Sequence, residues 1–208
     1  MRKVRRAVCS VSNKTGIVAL TKSFRRRGIE IVSTGGTARV IEGAGVPVIP
    51  IRDITGNEKD SYFSGRMKTI SFNFESALLY DRDNEEHQRQ ADELGIKPID
   101  LVVCNLYPFE NTIARNDCTM EEAVENIDIG GPCMIRAAAK NWKSIAVITS
   151  PEQYEDLLEE LDNHGGALSD QFRLWCAETA FELTFQYDRA VSTYLWSNRE
   201  VELRKTYR

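Results

Sequence analysis

Short apolar runs separated by helix-length stretches constrain this 208-residue chain more than any other feature. Ala7-Val8-Cys9-Ser10-Val11, Ile29-Glu30-Ile31-Val32, Val48-Ile49, residues 99–105 and residues 144–148 read as strands. Between the first two, residues 13–27 carry Ile17, Leu20 and Phe24 at helical spacing, and Gly28 closes the helix. A helix over 37–42, closed by Gly43, leads to the third run, whose flanking Pro47 and Pro50 place it at a sheet edge. Residues 99–105 are the strongest buried strand. Crossovers of this length join parallel strands, and a parallel sheet must be covered by helices on both faces.

The rest of the chain is less regular. Residues 53–65 read as a polar loop, 68–80 as β-rich without clean alternation, and 81–93 as a solvated helix or loop. Helices are predicted over 120–124 and 132–141. From Pro151 the pattern is almost wholly helical, over 151–162 and then 169–197, with Phe172, Cys176, Thr179, Ala180 and Leu183 at helical spacing. The expected organisation is an α/β part over 1–150 and a helical extension of the same domain over 151–208.

Composition removes several function classes. A net charge of −4 and a pI near 5.4 argue against a dedicated nucleic-acid binder, and the basic clusters at 2–6 and 25–27 read as solvated element ends. The cysteines (9, 104, 118, 133 and 176) are odd in number and form no C-x-x-C pair, which fits a reduced cytoplasmic protein. Cys104 and Cys133 read as small buried hydrophobes. No apolar run is long enough to span a bilayer. The two histidines, His87 and His164, lie in polar surroundings, so neither a His-based metal site nor a Ser-His-Asp triad is expected.

Ligands of parallel sheets bind at the carboxyl ends of the strands. The first exit, Ser10-Val11-Ser12-Asn13-Lys14-Thr15-Gly16, clusters hydroxyls with a lysine. The second, Ser33-Thr34-Gly35-Gly36-Thr37, offers hydroxyls and backbone N–H groups at a helix start. Two such exits in tandem suit a phosphate, and neither has the spacing of a Walker A loop or a dinucleotide fingerprint. A phosphomonoester is therefore favoured over a nucleoside triphosphate. Gly65-Arg66-Met67-Lys68-Thr69 adds two cations and a hydroxyl. Asn105-Leu106-Tyr107-Pro108-Phe109 adds an amide and a phenol. Glu125-Asn126-Ile127-Asp128-Ile129-Gly130-Gly131-Pro132 sets one carboxylate between two isoleucines, before a Gly-Gly-Pro step that opens a helix ending at Lys140-Asn141. From these residues alone, Asp128 is equally an acid/base group and a helix cap.

In this order the five segments, with Ala137-Ala138-Ala139-Lys140-Asn141, resemble the inosine monophosphate (IMP) cyclohydrolase domain of the bifunctional purine-biosynthesis protein, from the first strand to about Leu195. The last two words are specific to that family. The first two are shared with the wider methylglyoxal-synthase-like superfamily. The resemblance implies a three-layer methylglyoxal-synthase-like α/β fold with a mainly parallel sheet. It makes 1–150 a nucleotide-binding catalytic unit. It implies the dehydrative ring closure of 5-formamidoimidazole-4-carboxamide ribotide (FAICAR) to IMP, without metal or organic cofactor. By carry-over, Lys68 and Tyr107 stabilise the developing oxyanion, Asp128 deprotonates the carboxamide, and Lys140 is its charge and proton partner. Ser12, Lys14, Thr34, Gly35, Gly36, Thr37, Arg66 and Thr69 hold phosphate and ribose, while Asn105, Ile129 and Gly130 lie against the base. The expected partner is this small nucleotide, with neither nucleic acid nor membrane, and a homodimer is compatible with the chain.

Two departures accompany the resemblance. The family usually follows the Arg-x-Lys-Thr word with Leu-His-Pro and a second histidine, where this chain has Ile70-Ser71-Phe72-Asn73-Phe74. The tail over 197–208 does not look like the family's passage into its transformylase domain, which favours a stand-alone cyclohydrolase without that activity. The competing reading is a non-catalytic methylglyoxal-synthase-like module that binds a phosphorylated effector. Asp128, Lys140, Lys68 and Tyr107 have no necessary role in such a sensor. Methylglyoxal synthase itself is disfavoured, because both histidines fall outside the matching words.

Overall fold

The computed structural model describes residues 1–59 and 62–206. A two-residue strand, β1 (Arg2–Lys3), precedes β2 (Arg6–Val11), β3 (Glu30–Ser33), β4 (Ile49–Pro50), β5 (Leu101–Asn105) and β6 (Ala146–Ile148). The last five form one parallel sheet in the order β4-β3-β2-β5-β6. A final short strand, β7 (Ala167–Leu168), pairs antiparallel with β1. Val8, Leu101 and Val102 are wholly inaccessible, as expected where helices cover both faces of a parallel sheet.

The helices are α1 (Ile17–Arg26), α2 (Gly35–Gly43), α3 (Arg52–Thr55), α4 (Phe72–Leu79), α5 (Glu85–Glu93), α6 (Phe109–Ile113), α7 (Met120–Glu125), α8 (Gly130–Lys140), α9 (Tyr154–Asn163) and α10 (Asp170–Thr206). α1 packs against α2 and α9, whereas α8 packs against α4 and α10. The crossovers run outward from β2 in one direction and outward from β5 in the other. With right-handed connections, that reversal puts the two helix sets on opposite faces. It also makes the gap between β2 and β5 the topological switch point, where open α/β sheets bind ligands. The register puts Val11 opposite Asn105, so both strands leave the sheet at the same level.

The other end of the same strand pair is closed by charge. Asp100 Oδ2 accepts the Arg5 and Arg6 backbone N–H groups at 2.7 and 2.8 Å, and Oδ1 accepts Arg82 at 2.6 Å. Both charged side chains are nearly inaccessible. A buried carboxylate with several charge-assisted donors fixes local geometry strongly.

Several local expectations change. Residues 68–80 contain a helix, α4, because the Ser71 hydroxyl caps Phe74 N–H at 3.1 Å and Phe74, Ala77 and Leu78 are buried on one face. Packing against α8 outweighs the modest helix propensity of the phenylalanines. α1 begins at Ile17, after a turn that needs Gly16 at φ 72°. α2 begins at Gly35, before the expected Thr37. α3 and α6 form where no helix is expected, and β7 occupies the gap between the two expected C-terminal helices.

Candidate active site

A cavity of about 870 Å³ opens at the carboxyl ends of β2, β3 and β5. Ser12, Lys14, Thr34, Gly36, Thr37, Arg66, Lys68, Thr69, Asn105, Tyr107, Asp128, Ile129 and Gly130 all line it. The chain therefore brings together residues from all five segments, although 117 positions separate Lys14 from Gly131.

On one side the cavity meets the start of α2. Thr34 precedes this helix without a side-chain cap. A Cβ on Gly35 would collide with the Lys68 ammonium, and one on Gly36 would lie 3.9 Å from the Lys14 ammonium. Two cations thus converge on the positive end of a helix. Among the described residues neither lysine has a carboxylate partner. That concentration of positive charge suits an anion. Lys14 Nζ is steered by the Val11 and Ser12 carbonyl oxygens at 3.3 and 3.2 Å.

Two expected ligand-holding side chains are committed to the scaffold. Asn105 Oδ1 accepts Ser12 N–H at 2.7 Å and Asn13 N–H at 2.8 Å, while Nδ2 donates to the Asn13 carbonyl at 3.0 Å. Its amide ties the β5 exit to the β2 exit, while the residue still lines the cavity and keeps one Nδ2 hydrogen unused among the described residues. Thr37 Oγ1 accepts Val11 N–H at 3.1 Å and donates to Val11 O at 3.0 Å, clamping α2 to the end of β2. The Ser10 and Thr34 hydroxyls bond to each other at 3.1 Å.

The opposite side is built around the start of α8. Asp128 Oδ1 accepts Gly131 N–H at 2.8 Å, so the carboxylate is a helix cap and a cavity wall at once. A Cβ on Gly131 would stand 2.8 Å from Leu106 Cδ2 and strike the same carboxylate, which explains the glycine. Thr69 Oγ1 lies against Gly130, while its neighbour Lys68 reaches Gly35. This one dipeptide touches both helix starts. Ile129 is 62% exposed and Tyr107 50% exposed, leaving both accessible from the cavity.

Arg66 arches across the mouth to form an ion pair with Glu125, whose carboxylate raises the guanidinium's affinity for its proton. In the sequence Glu125 stands out only as the first residue of the segment that carries Asp128. Its charge gave no sign that the fold would aim it at Arg66.

Lys140 is a correction. It is ten helical steps from Gly130, about 15 Å along α8 at 1.5 Å per residue, and lies exposed in a separate groove with Trp142 and Phe181. The carried-over pairing of Lys140 with Asp128 does not exist within this chain.

Cys9, Cys104, Cys133 and Cys176 are not poised as nucleophiles. Burial pushes the Cys9 and Cys176 thiols up to about 12. Cys104, at the cavity floor, is raised by burial and then by Asp128. Burial and the Glu75 carboxylate raise Cys133. His87, on α5, accepts Asp81 N–H, and His164 follows α9; neither lines the cavity. Among the described residues no group of three or more His, Cys, Asp or Glu could hold a metal.

Comparison with known proteins agrees with this fold. The model of the MGS-like domain matches residues 16–133, and that of the AICARFT/IMPCHase bienzyme matches residues 138–208. The second match includes the tail over 197–208, which therefore does not set the chain apart from the family. The bifunctional purine biosynthesis protein PurH of Neisseria meningitidis is 46% identical over 197 residues, covering 95% of this chain and 37% of that protein. PurH of Pelodictyon phaeoclathratiforme is 48% identical over 192 residues, covering 92% of this chain and 36% of the relative. The chain thus spans little more than a third of the length of these curated relatives. The crystal structure of ForH matches with a TM-score of 0.78 at 32% identity, covering 91% of this chain and 97% of ForH. The chain belongs to the MGS-like domain family and is homologous to the IMP cyclohydrolase part of the PurH bienzymes.

Proposed function

We propose that this chain is an IMP cyclohydrolase that closes the purine ring of FAICAR. The observation that carries the reading is a single cavity with an anion-attracting helix start on one side and a fixed carboxylate on the other. The phosphate sits at the start of α2 with Lys14, and Arg66 exchanges Glu125 for it. Ser12, Thr34, Gly35, Gly36 and Thr69, with Thr37 through its backbone N–H at the start of α2, form the phosphate and ribose end. The heterocycle lies towards Ile129 and Gly130.

The carboxamide nitrogen attacks the formyl carbon, forming the C–N bond while the carbonyl electrons move to oxygen. Asp128 takes the nitrogen's proton. Lys68 and Tyr107 stabilise and protonate that oxygen. Departure of the hydroxyl with a proton, and formation of C=N, gives IMP and one water. Ring closure is unimolecular, so the protein's task is to fix the reactive rotamer and stabilise charge. The chemistry balances without a further reactant.

The reading includes a small nucleotide partner, no nucleic acid and a cytoplasmic location. No helix among the described residues is long and apolar enough to cross a membrane. It also includes a homodimer, supported by the exposed Leu174, Phe181, Phe185, Leu195 and Trp196 on α10; sedimentation tests this part.

The deciding assay mixes purified protein with FAICAR, without added metal, and follows IMP. Turnover above the uncatalysed rate is expected. Binding of IMP without turnover would instead make the chain a phosphorylated-effector module.

A further inference from the structure

We propose that Tyr187, on α10, is a positioning residue that sets the place of the Asp128 carboxylate. The inference rests on the cyclohydrolase reading and extends it to the C-terminal helix. Tyr187 OH accepts the backbone N–H of Asp128 at 2.7 Å. This bond crosses 59 positions of sequence and meets the turn between α7 and α8. The carboxylate then caps Gly131 from the same residue. Asp128 is thus held at its backbone by α10 and at its side chain by α8. Two anchors fix a short side chain more tightly than a cap alone, because the cap can follow α8 if the turn moves.

The phenol is itself held. Tyr187 is 9% exposed, and its ring meets Phe109 edge-on, with centroids 6.2 Å apart and planes at 63°. Phe109 is 1% exposed and also packs against Tyr194 at 5.8 Å. Phe109 opens α6, just after Tyr107 at the cavity wall. One side chain on α10 therefore touches the Asp128 turn by hydrogen bond and the Tyr107 exit by aromatic packing. Burial holds the phenol in its neutral form, suited to accepting an amide N–H. Tyr187 does not line the cavity, so its action is through Asp128 and not on substrate.

The test is Tyr187→Phe, which keeps the ring and removes only the acceptor. Misplacement of a reacting group by an ångström costs on the order of a hundredfold in rate, so kcat should fall about ten- to a hundredfold. KM should stay within about threefold, because the anion-holding groups lie on the α2 side. Exchange of the Asp128 amide hydrogen should accelerate. Cys176→Ala, buried on α10 away from the cavity, is the control for general loosening of the helix. It should lower the melting temperature and leave kcat unchanged well below melting. A Tyr187→Phe enzyme with wild-type kcat overturns the proposal alone. So does a loss of kcat matched by Cys176→Ala. A wild-type protein without turnover overturns the cyclohydrolase reading, and this proposal with it.

Discussion

Two Gly-Gly pairs open helices onto the same cavity, and their surroundings have opposite charge. Gly35-Gly36 starts α2 uncapped, with the Lys68 and Lys14 ammonium groups over it. Gly130-Gly131 starts α8, where the Asp128 carboxylate already takes the Gly131 N–H. A helix start attracts an anion only while its N–H groups and dipole are unsatisfied. At α2 the charge is left for a ligand. At α8 the protein supplies its own anion and turns the helix end into a mount for a carboxylate. Under the proposed function, the same dipeptide would serve binding in one place and chemistry in the other.

Asp128 gives the sharpest way to break that contrast. Asp128→Asn keeps an oxygen for the Gly131 N–H but cannot take a proton. Turnover should fall by about 10²–10⁴-fold, the usual worth of a positioned acid/base group, with little change in thermal stability. Asp128→Ala should lose as much activity and also about 1 kcal/mol of stability, the typical cost of a lost cap. Paired FAICAR turnover and denaturant melts separate the roles. If Asn retains wild-type turnover, Asp128 is a cap and nothing more.

The glycines should differ in the same sense. A methyl on Gly131 meets Leu106 and Asp128, so Gly131→Ala should destabilise by about 1–3 kcal/mol and lower turnover about tenfold or more. A methyl on Gly36 would touch Lys14 and Arg39 only at 3.8–3.9 Å, an ordinary contact. Gly36→Ala should therefore leave stability unchanged or gain up to about 1 kcal/mol from helix propensity. Thermal melts of the two variants side by side check the contrast. Equal destabilisation would remove it.

Much of this was legible before the fold was known, for an identifiable reason. Parallel strands buried on both faces are written as apolar runs, and the polar residues after them mark the cavity. Lys14, Thr34 and Tyr107 could be singled out that way, whereas Asp128 stands between two helices and is marked by its apolar neighbours and the Gly-Gly-Pro step. The two meanings of Asp128 could not be separated, because cap and base use the same carboxylate. Distances between segments were not legible at all. Asn105 looks in sequence like a ligand-binding amide, and only the pairing of Val11 with Asn105 shows that it faces the β2 exit and ties it through three hydrogen bonds. Tyr187 sits in a helix whose periodicity reports packing, so nothing in its neighbours signals the hydrogen bond to Asp128.

A smaller effect is expected at the cavity mouth. Arg66 is engaged by Glu125, so under the proposed function a phosphate held by Arg66 would displace a carboxylate. Both groups are largely exposed, and exposed pairs are weak. Glu125→Gln should therefore lower KM for FAICAR only about threefold, at unchanged kcat, with the gain shrinking as salt is added. A higher KM would mean that Glu125 assists binding instead of competing with it.

The smallest expected effect concerns the residue on which sequence likeness and geometry disagree most. Lys140 stands in the specific word Ala137-Ala138-Ala139-Lys140-Asn141, yet it occupies the far end of α8. A helix is rigid over this length, and a lysine side chain spans only part of the 15 Å or so between its ends. From that position its field at Asp128 is screened over more than a Debye length, about 10 Å at ordinary ionic strength. A Lys140→Ala chain acting alone should therefore turn FAICAR over within about threefold of the wild-type rate. The measurement should be made at protein concentrations above and below any association seen by sedimentation. A hundredfold loss at every concentration would refute the geometry of a single chain. A loss only under associating conditions would mean that Lys140 reaches the carboxylate of a neighbouring copy, and the contrast between the two helix starts would then extend across an interface.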